Sequence, residues 1–198
     1  MRNILSVLLI GIILGSAGLH VGKALFSDRS ISEGNMISTG EFDVKISKSG
    51  ERFYNDLKLF EFENLKPGDS RDLEFHIKNY GDTDISKLTL SFKVEDLEDG
   101  TLTTAESLVD NTTDVGELSQ NIIITKFEVT KNGQTYSLSN YINKTLKEIS
   151  DKEISLLNNA MSPSEEVKVA IGFKLSSSAG NECQTDIAKV SLEIYAEQ

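Results

Sequence analysis

Apolar and polar side chains alternate along much of this 198-residue chain, and the clearest run spans residues 57–94. Leu73, Phe75 and Ile77 fall on one side; Asp72, Glu74, His76 and Lys78 fall on the other. Leu88, Leu90, Phe92 and Val94 repeat the pattern against Thr89, Ser91 and Lys93. Successive side chains of a strand point to opposite faces, so a period of two marks strands with one dry and one wet face. The run therefore predicts three strands, with Leu73, Phe75, Leu90 and Phe92 in the core. Lys66-Pro67-Gly68-Asp69 separates the first two as a type II turn, because Pro67 presets φ and Gly68 accepts φ > 0. Asn79-Tyr80-Gly81-Asp82 supplies the next break.

The rest of the chain is patterned in the same way. Phe42, Val44 and Ile46 alternate within residues 41–47. In residues 121–130, Ile123, Phe127 and Val129 share a face with Thr125, and Ile122 and Ile124 take the other. Asn132-Gly133 predicts a two-residue hairpin into residues 134–137. Val167, Val169, Ile171, Phe173 and Leu175 form a further strand, and Ala188, Val190, Leu192, Ile194 and Ala196 the last. Two interruptions have helical character. Thr103-x-x-Glu106 is a capping box that opens a short helix over residues 105–110. Over residues 138–160, Ile142, Leu146, Ile149, Leu156 and Leu157 lie on one helical stripe, which a second box at Ser150-x-x-Glu153 divides and Pro163 ends. About eight strands, helices midway and no βαβ alternation predict an all-β fold. The expected architecture is a jelly-roll or immunoglobulin-like β-sandwich with short helices inserted between strands.

The amino-terminal residues have a different composition. Arg2 precedes an apolar run from Ile4 to Leu19, the pattern of a secretory signal over residues 1–24. Gly22 and Ala24 are the small residues a signal peptidase accepts, so cleavage is expected between Ala24 and Leu25; retention as an amino-terminal anchor is the alternative. Cleavage would leave no stable membrane span and a secreted protein of the extracellular matrix or cell surface. Residues 25–38 are broken and polar yet keep Leu25, Phe26, Ile31, Met36 and Ile37. They read either as a flexible tail or as a segment without a partner inside its own subunit. Residues 39–198 form the single sandwich domain, with the helical insertion at about residues 103–160.

Charge narrows the function. The formal net charge is −11 and becomes −13 once Arg2 and Lys23 leave with residues 1–24. With no basic stripe to neutralise phosphates, nucleic acid is excluded as a partner. Cys183 is the only cysteine, so no internal disulfide exists, and a lone thiol without a histidine partner is no nucleophile. After processing, one histidine remains, His76, read as a surface residue on the wet face of a strand. No H-E-x-x-H, G-x-S-x-G, P-loop or dinucleotide fingerprint occurs, so no catalytic residue, cofactor or metal is expected. Residues 95–99 carry four carboxylates before Gly100 but lack the ligand spacing of a calcium loop, and read as a solvated acidic loop. Asn111-Thr112-Thr113 and Asn143-Lys144-Thr145 match the N-glycosylation pattern.

Several of these stretches together resemble the TasA/camelysin family of secreted fibre proteins, which has archaeal bundling-pilus relatives. They are Phe26-Ser27-Asp28 after the signal, Ser38-Thr39-Gly40-Glu41-Phe42-Asp43-Val44, and the turn Asn64-Leu65-Lys66-Pro67-Gly68-Asp69. Asn79-Tyr80-Gly81-Asp82, Asn181-Glu182-Cys183-Gln184-Thr185-Asp186 and the closing Ala196-Glu197-Gln198 follow in the same order. Residues 100–160 match poorly. The resemblance implies a jelly-roll subunit that polymerises into biofilm-matrix fibres or pili, with accessory matrix proteins as further partners. It also implies that the amino-terminal segment of one subunit completes the sheet of the next. On this reading Leu25, Phe26, Ile31, Met36 and Ile37 are the donor residues of a homopolymer. Family members are also described as metalloproteases. A secreted or cell-surface protease and a monomeric surface-binding module are therefore the rival readings.

Overall fold

A computed structural model describes residues 27–31, 43–55, 65–98, 104–110, 116–183 and 186–198. The signal, the Ala24–Leu25 position, Phe42 and most of the strand expected before Pro67 lie outside the described residues. Among the described residues, nine strands form two sheets. One is ordered β1 (Ser27–Ile31), β9 (Asp186–Glu197), β4 (Lys87–Glu98), β7 (Ile154–Ser155). The other is ordered β2 (Val44–Ser47), β3 (Ser70–Asn79), β8 (Glu166–Leu175), β5 (Ile122–Lys131), β6 (Gln134–Ser137). Every named pairing is antiparallel. The fold is an all-β sandwich with short helices between strands.

The alternation decides which faces meet. Leu73, Phe75 and Ile77 of β3 and Leu88, Leu90 and Phe92 of β4 are all buried. Phe92 of one sheet meets Phe127 of the other edge-on, with centroids 6.4 Å apart at 88°, a geometry aromatic pairs favour. The turns follow their residues. Gly68 has φ 92, and the amide of Asp69 donates to the Lys66 carbonyl at 2.9 Å. Asn132 and Gly133 both have positive φ, 51 and 77, as a type I′ hairpin requires. Asn79 is fully buried and uses its amide as a clip. Its Nδ2 donates to the carbonyls of Thr83 and Met161, and its Oδ1 accepts from the amide of Gly81.

Four expectations are corrected. In β5, a bulge between Ile124 and Lys126 leaves Thr125 unpaired, and an unpaired residue resets the phase of a strand. Ile122, Ile124, Phe127 and Val129 are consequently all buried, whereas Ile123 is only half-buried. Residues 138–160 do not form the expected helical stripe. They contain a 3₁₀ turn at Ser139–Tyr141, a single helical turn and then β7. The helical turn, Leu146–Ile149, is capped by Thr145 and Glu148, not by Ser150 and Glu153. Ser150 ends it, and Asp151, at φ 61, turns the chain. Its amide bonds the Phe92 carbonyl at 2.8 Å. Residues 105–110 hold only the 3₁₀ turn Glu106–Leu108, and Thr103 lies outside the described residues. A helical turn not anticipated, α1 (Leu118–Asn121), precedes β5; Leu146–Ile149 is α2.

The edges of the sheets are short. β2 and β6 have four residues each and β7 has two. The free side of β2 is further covered by Tyr54, which exchanges both backbone hydrogen bonds with Ile46 at 2.8 Å.

Candidate functional site

The first feature of interest is the edge at β1. Its backbone runs along β9, from Ser27 opposite Glu197 to Ile31 opposite Glu193. Residues 27–31 of the segment read as lacking a partner within its own subunit therefore have one: β9, in the chain's own four-stranded sheet. Polarity and breaks argued against a central strand, but an edge strand needs only one side of its backbone bonded. Ile31 is placed by this pairing; Leu25, Phe26, Met36 and Ile37 lie outside the described residues.

The second feature lies where β4 ends and β9 begins. Glu98 pairs with Asp186 across the two strands, and Glu117, just before α1, joins them. One carboxylate oxygen from each residue lies within 4.8 Å of the others. Gly116 makes room for this approach, since a Cβ there would stand 2.8 Å from the Leu97 carbonyl oxygen and 2.9 Å from Asp186 Cγ. The amide of Glu117 donates to Asp186 Oδ2. Residues 95–98 are accordingly the end of a strand rather than a solvated loop. Asp96 is bonded twice, accepting from the amide and the hydroxyl of Ser119. Sequence reasoning weighed Glu98 within an acidic run and missed Glu117 and Asp186, because the three come from separate segments.

His76 occupies the outer face of β3, as expected, but is not an open surface residue. Its Nδ1 lies 2.5 Å from Glu166 Oε1. Gly50, at φ 77, covers the ring so closely that a Cβ there would be 3.3 Å from Cε1 and Nδ1.

A family model described as camelysin metallo-endopeptidase matches residues 3–198. The chain belongs to the camelysin family. No curated protein matches it. No helix of the described residues is long and apolar enough to cross a membrane.

The family description implies a catalytic metal, and the residues of this camelysin-family chain can be tested for one. A catalytic zinc uses about three protein ligands, mostly histidine, and keeps a position open for water. His76 is the single histidine among the described residues; it lies on the five-stranded sheet, held by Glu166, whereas Glu98 and Asp186 belong to the four-stranded sheet. That group supplies only carboxylate oxygens, a donor set suited to hard cations rather than zinc. The described residues do not fit a zinc-peptidase centre, and no hydrolytic step is derived from them.

Cys183 sits beside the same carboxylates. Burial, reinforced by Glu182 and Asp186, pushes its thiol from 9.0 up to about 12, although Asn121 Nδ2 donates to the sulfur at 3.1 Å. It is no nucleophile at neutral pH. Fewer thiolates, partly offset by the greater reactivity of a more basic thiolate, should make alkylation at pH 8 about 50-fold slower in the folded than in the urea-unfolded chain. Timed iodoacetamide labelling with mass detection checks this; equal rates would contradict the assignment. The folded value exceeds the unfolded one, so this thiol's contribution to stability is complete below 9.0 and is lost as pH rises toward about 12. Cys183→Ser should flatten that alkaline slope in melting curves.

Proposed function

We propose that this camelysin-family chain is a structural subunit of an extracellular fibre, not an enzyme. On this reading the protein is exported, loses residues 1–24 and polymerises head-to-tail, with residues 25–37 completing the sheet of the neighbouring subunit. The observation that carries it is β1: a five-residue edge strand near the start of the chain, paired on one side only among the described residues. An edge strand presents backbone donors and acceptors that another chain can pair with, and strand addition satisfies them through main-chain hydrogen bonds. The same segment pairing within one copy or between copies is the logic of strand exchange.

The test is electron microscopy of the purified chain beginning at Leu25. Filaments of uniform width are the expected result; monomers at every concentration would instead favour a surface-binding module. Proteolysis by the same preparation that is abolished by chelator yet unaffected by His76→Ala would overturn the structural reading in favour of the enzyme.

A further inference from the structure

The outward face of the four-stranded sheet carries polar groups that are buried. Leu88, Leu90, Ile194 and Ala196 belong to the core, so the alternate positions of β4 and β9 lie on the opposite face. There Lys87 stands opposite Glu197, Thr89 opposite Tyr195 and Ser91 opposite Glu193. Thr89, Ser91 and Glu193 nonetheless keep only 3%, 4% and 5% of their surface exposed. A carboxylate held out of water needs hydrogen-bonding or charged neighbours. Tyr195 is one, its hydroxyl donating to Glu193 Oε2. The lysines of this face are engaged with other carboxylates: Lys87 with Glu197 at 2.9 Å, Lys93 with Asp151 at 2.5 Å and Lys189 with Glu95 at 4.0 Å. Asp151 is the main cause of the raised Lys93 pKa, and Glu193 a lesser one.

β1 continues these rows across the sheet. Ile31 stands opposite Glu193, Arg29 opposite Tyr195 and Ser27 opposite Glu197. The register therefore sets Arg29 one diagonal step from Glu193, a separation of about 7–8 Å that long side chains span. The other diagonal leads to Glu197, which Lys87 already holds. The residue type suits the position. A guanidinium is more weakly hydrated than an ammonium, bonds a carboxylate through two parallel N–H groups and stacks on aromatic rings. Tyr195 is the ring at that position and Glu193 the carboxylate beside it. Arg29 is also the one basic residue of residues 25–37, so no other position of the segment offers this chemistry.

We infer that Glu193 and Tyr195 form the recognition site for Arg29 of whichever strand occupies the β9 edge. Main-chain hydrogen bonds alone would accept almost any extended peptide. A buried carboxylate discriminates, because a strand without a basic residue at that position leaves its charge uncompensated. Register is fixed by the same pair: a slip of one residue would set Asp28 or Ser30 opposite Tyr195. Within one copy the site holds β1 on its own sheet. Its use between copies rests on the fibre reading above, in which the same two residues read the segment arriving from a neighbour.

Amide hydrogen exchange of the chain beginning at Leu25, kept monomeric by dilution, tests the site without reference to filaments. Arg29→Gln and Glu193→Gln should each raise exchange at residues 27–31 about tenfold or more, as loss of a hydrogen bond to a charged group does. β3, in the other sheet, should keep its protection in both variants, which separates loss of the site from loss of the fold. The chain with both substitutions should exchange little faster than either alone, since the two residues act as a pair. Arg29→Lys should retain part of the protection. Unchanged exchange in Arg29→Gln would overturn the site, and so would effects that simply add. Mixing reads the use between copies. A chain with Arg29→Glu and a chain with Glu193→Arg should each elongate poorly alone and elongate together, because each presents the strand that the other's site accepts. A mixture no better than its components, with the exchange coupling intact, would overturn use between copies and leave the site within one. A wild-type chain that never elongates would overturn the fibre reading itself and leave the exchange result standing.

Discussion

A chain lacking residues 25–37 folds, remains monomeric and does not elongate, and a synthetic peptide of those residues binds it without restoring growth. This result is expected because β1 contributes one edge strand, while the strands and turns that follow hold a large buried core of their own. Removing β1 leaves β9 paired with β4 alone, with an unoccupied backbone edge from Glu193 to Glu197. The peptide fills that edge and stops, since it carries no domain to present another. In the intact chain the same segment competes with itself. Pairing within one copy benefits from a high effective concentration, so elongation should begin slowly and accelerate as exchanged ends accumulate. Analytical ultracentrifugation and microscopy of the truncated chain decide the matter. Fibres of unchanged width from a chain without residues 25–37 would rule out assembly through this segment.

Phe75→Ala should remove about 3–5 kcal/mol of stability, the usual range for truncating a large aromatic in a core. Phe75 has no exposed surface and sits between the buried Leu73 and Ile77 on β3, the strand that pairs with both β2 and β8. The cavity would therefore open in the interior of the five-stranded sheet, where neighbours paired on both sides cannot easily collapse into it. Domains of this size are typically stable by about 5–15 kcal/mol, so the variant should be close to unfolded at physiological temperature. Urea melts with an unchanged slope and a lowered midpoint would register the loss. A loss below about 1 kcal/mol would contradict the burial of this side chain.

The sandwich was legible wherever one face of a strand is dry and the other wet. β3, β4, β8 and β9 show that alternation, and the Pro67-Gly68 and Asn132-Gly133 turns are set by residues that accept the required φ. The phase of β5 was lost at one residue. A visible signal existed in Gly172, a glycine inside an otherwise clean strand, because a Cβ there would stand 2.6 Å from Thr125 Oγ1 at the bulge. The helical insertion was misread for a different reason. Thr145-x-x-Glu148 and Ser150-x-x-Glu153 both satisfy the capping pattern, and a tertiary contact chooses between them: the backbone at Ser150 and Asp151 is taken up by Phe92. The meeting of Glu98, Glu117 and Asp186 depends on three segments and carries no local signature. Pairing of β1 with its own sheet was hidden similarly, since Ser27–Ile31 has neither strong alternation nor a turn to set its register.

The shortness of the other sheet edges bears on the material such a protein would make. β7 covers β4 over two residues, β6 ends after four, and Tyr54 occupies the free side of β2. On the fibre reading, backbone recruitment at the β1–β9 border would make growth one-dimensional. Such filaments would adhere sideways through side chains, and for a surface this acidic that adhesion would depend on counterions. A matrix of this kind would loosen or tighten with the ionic composition of its surroundings while each filament stayed whole.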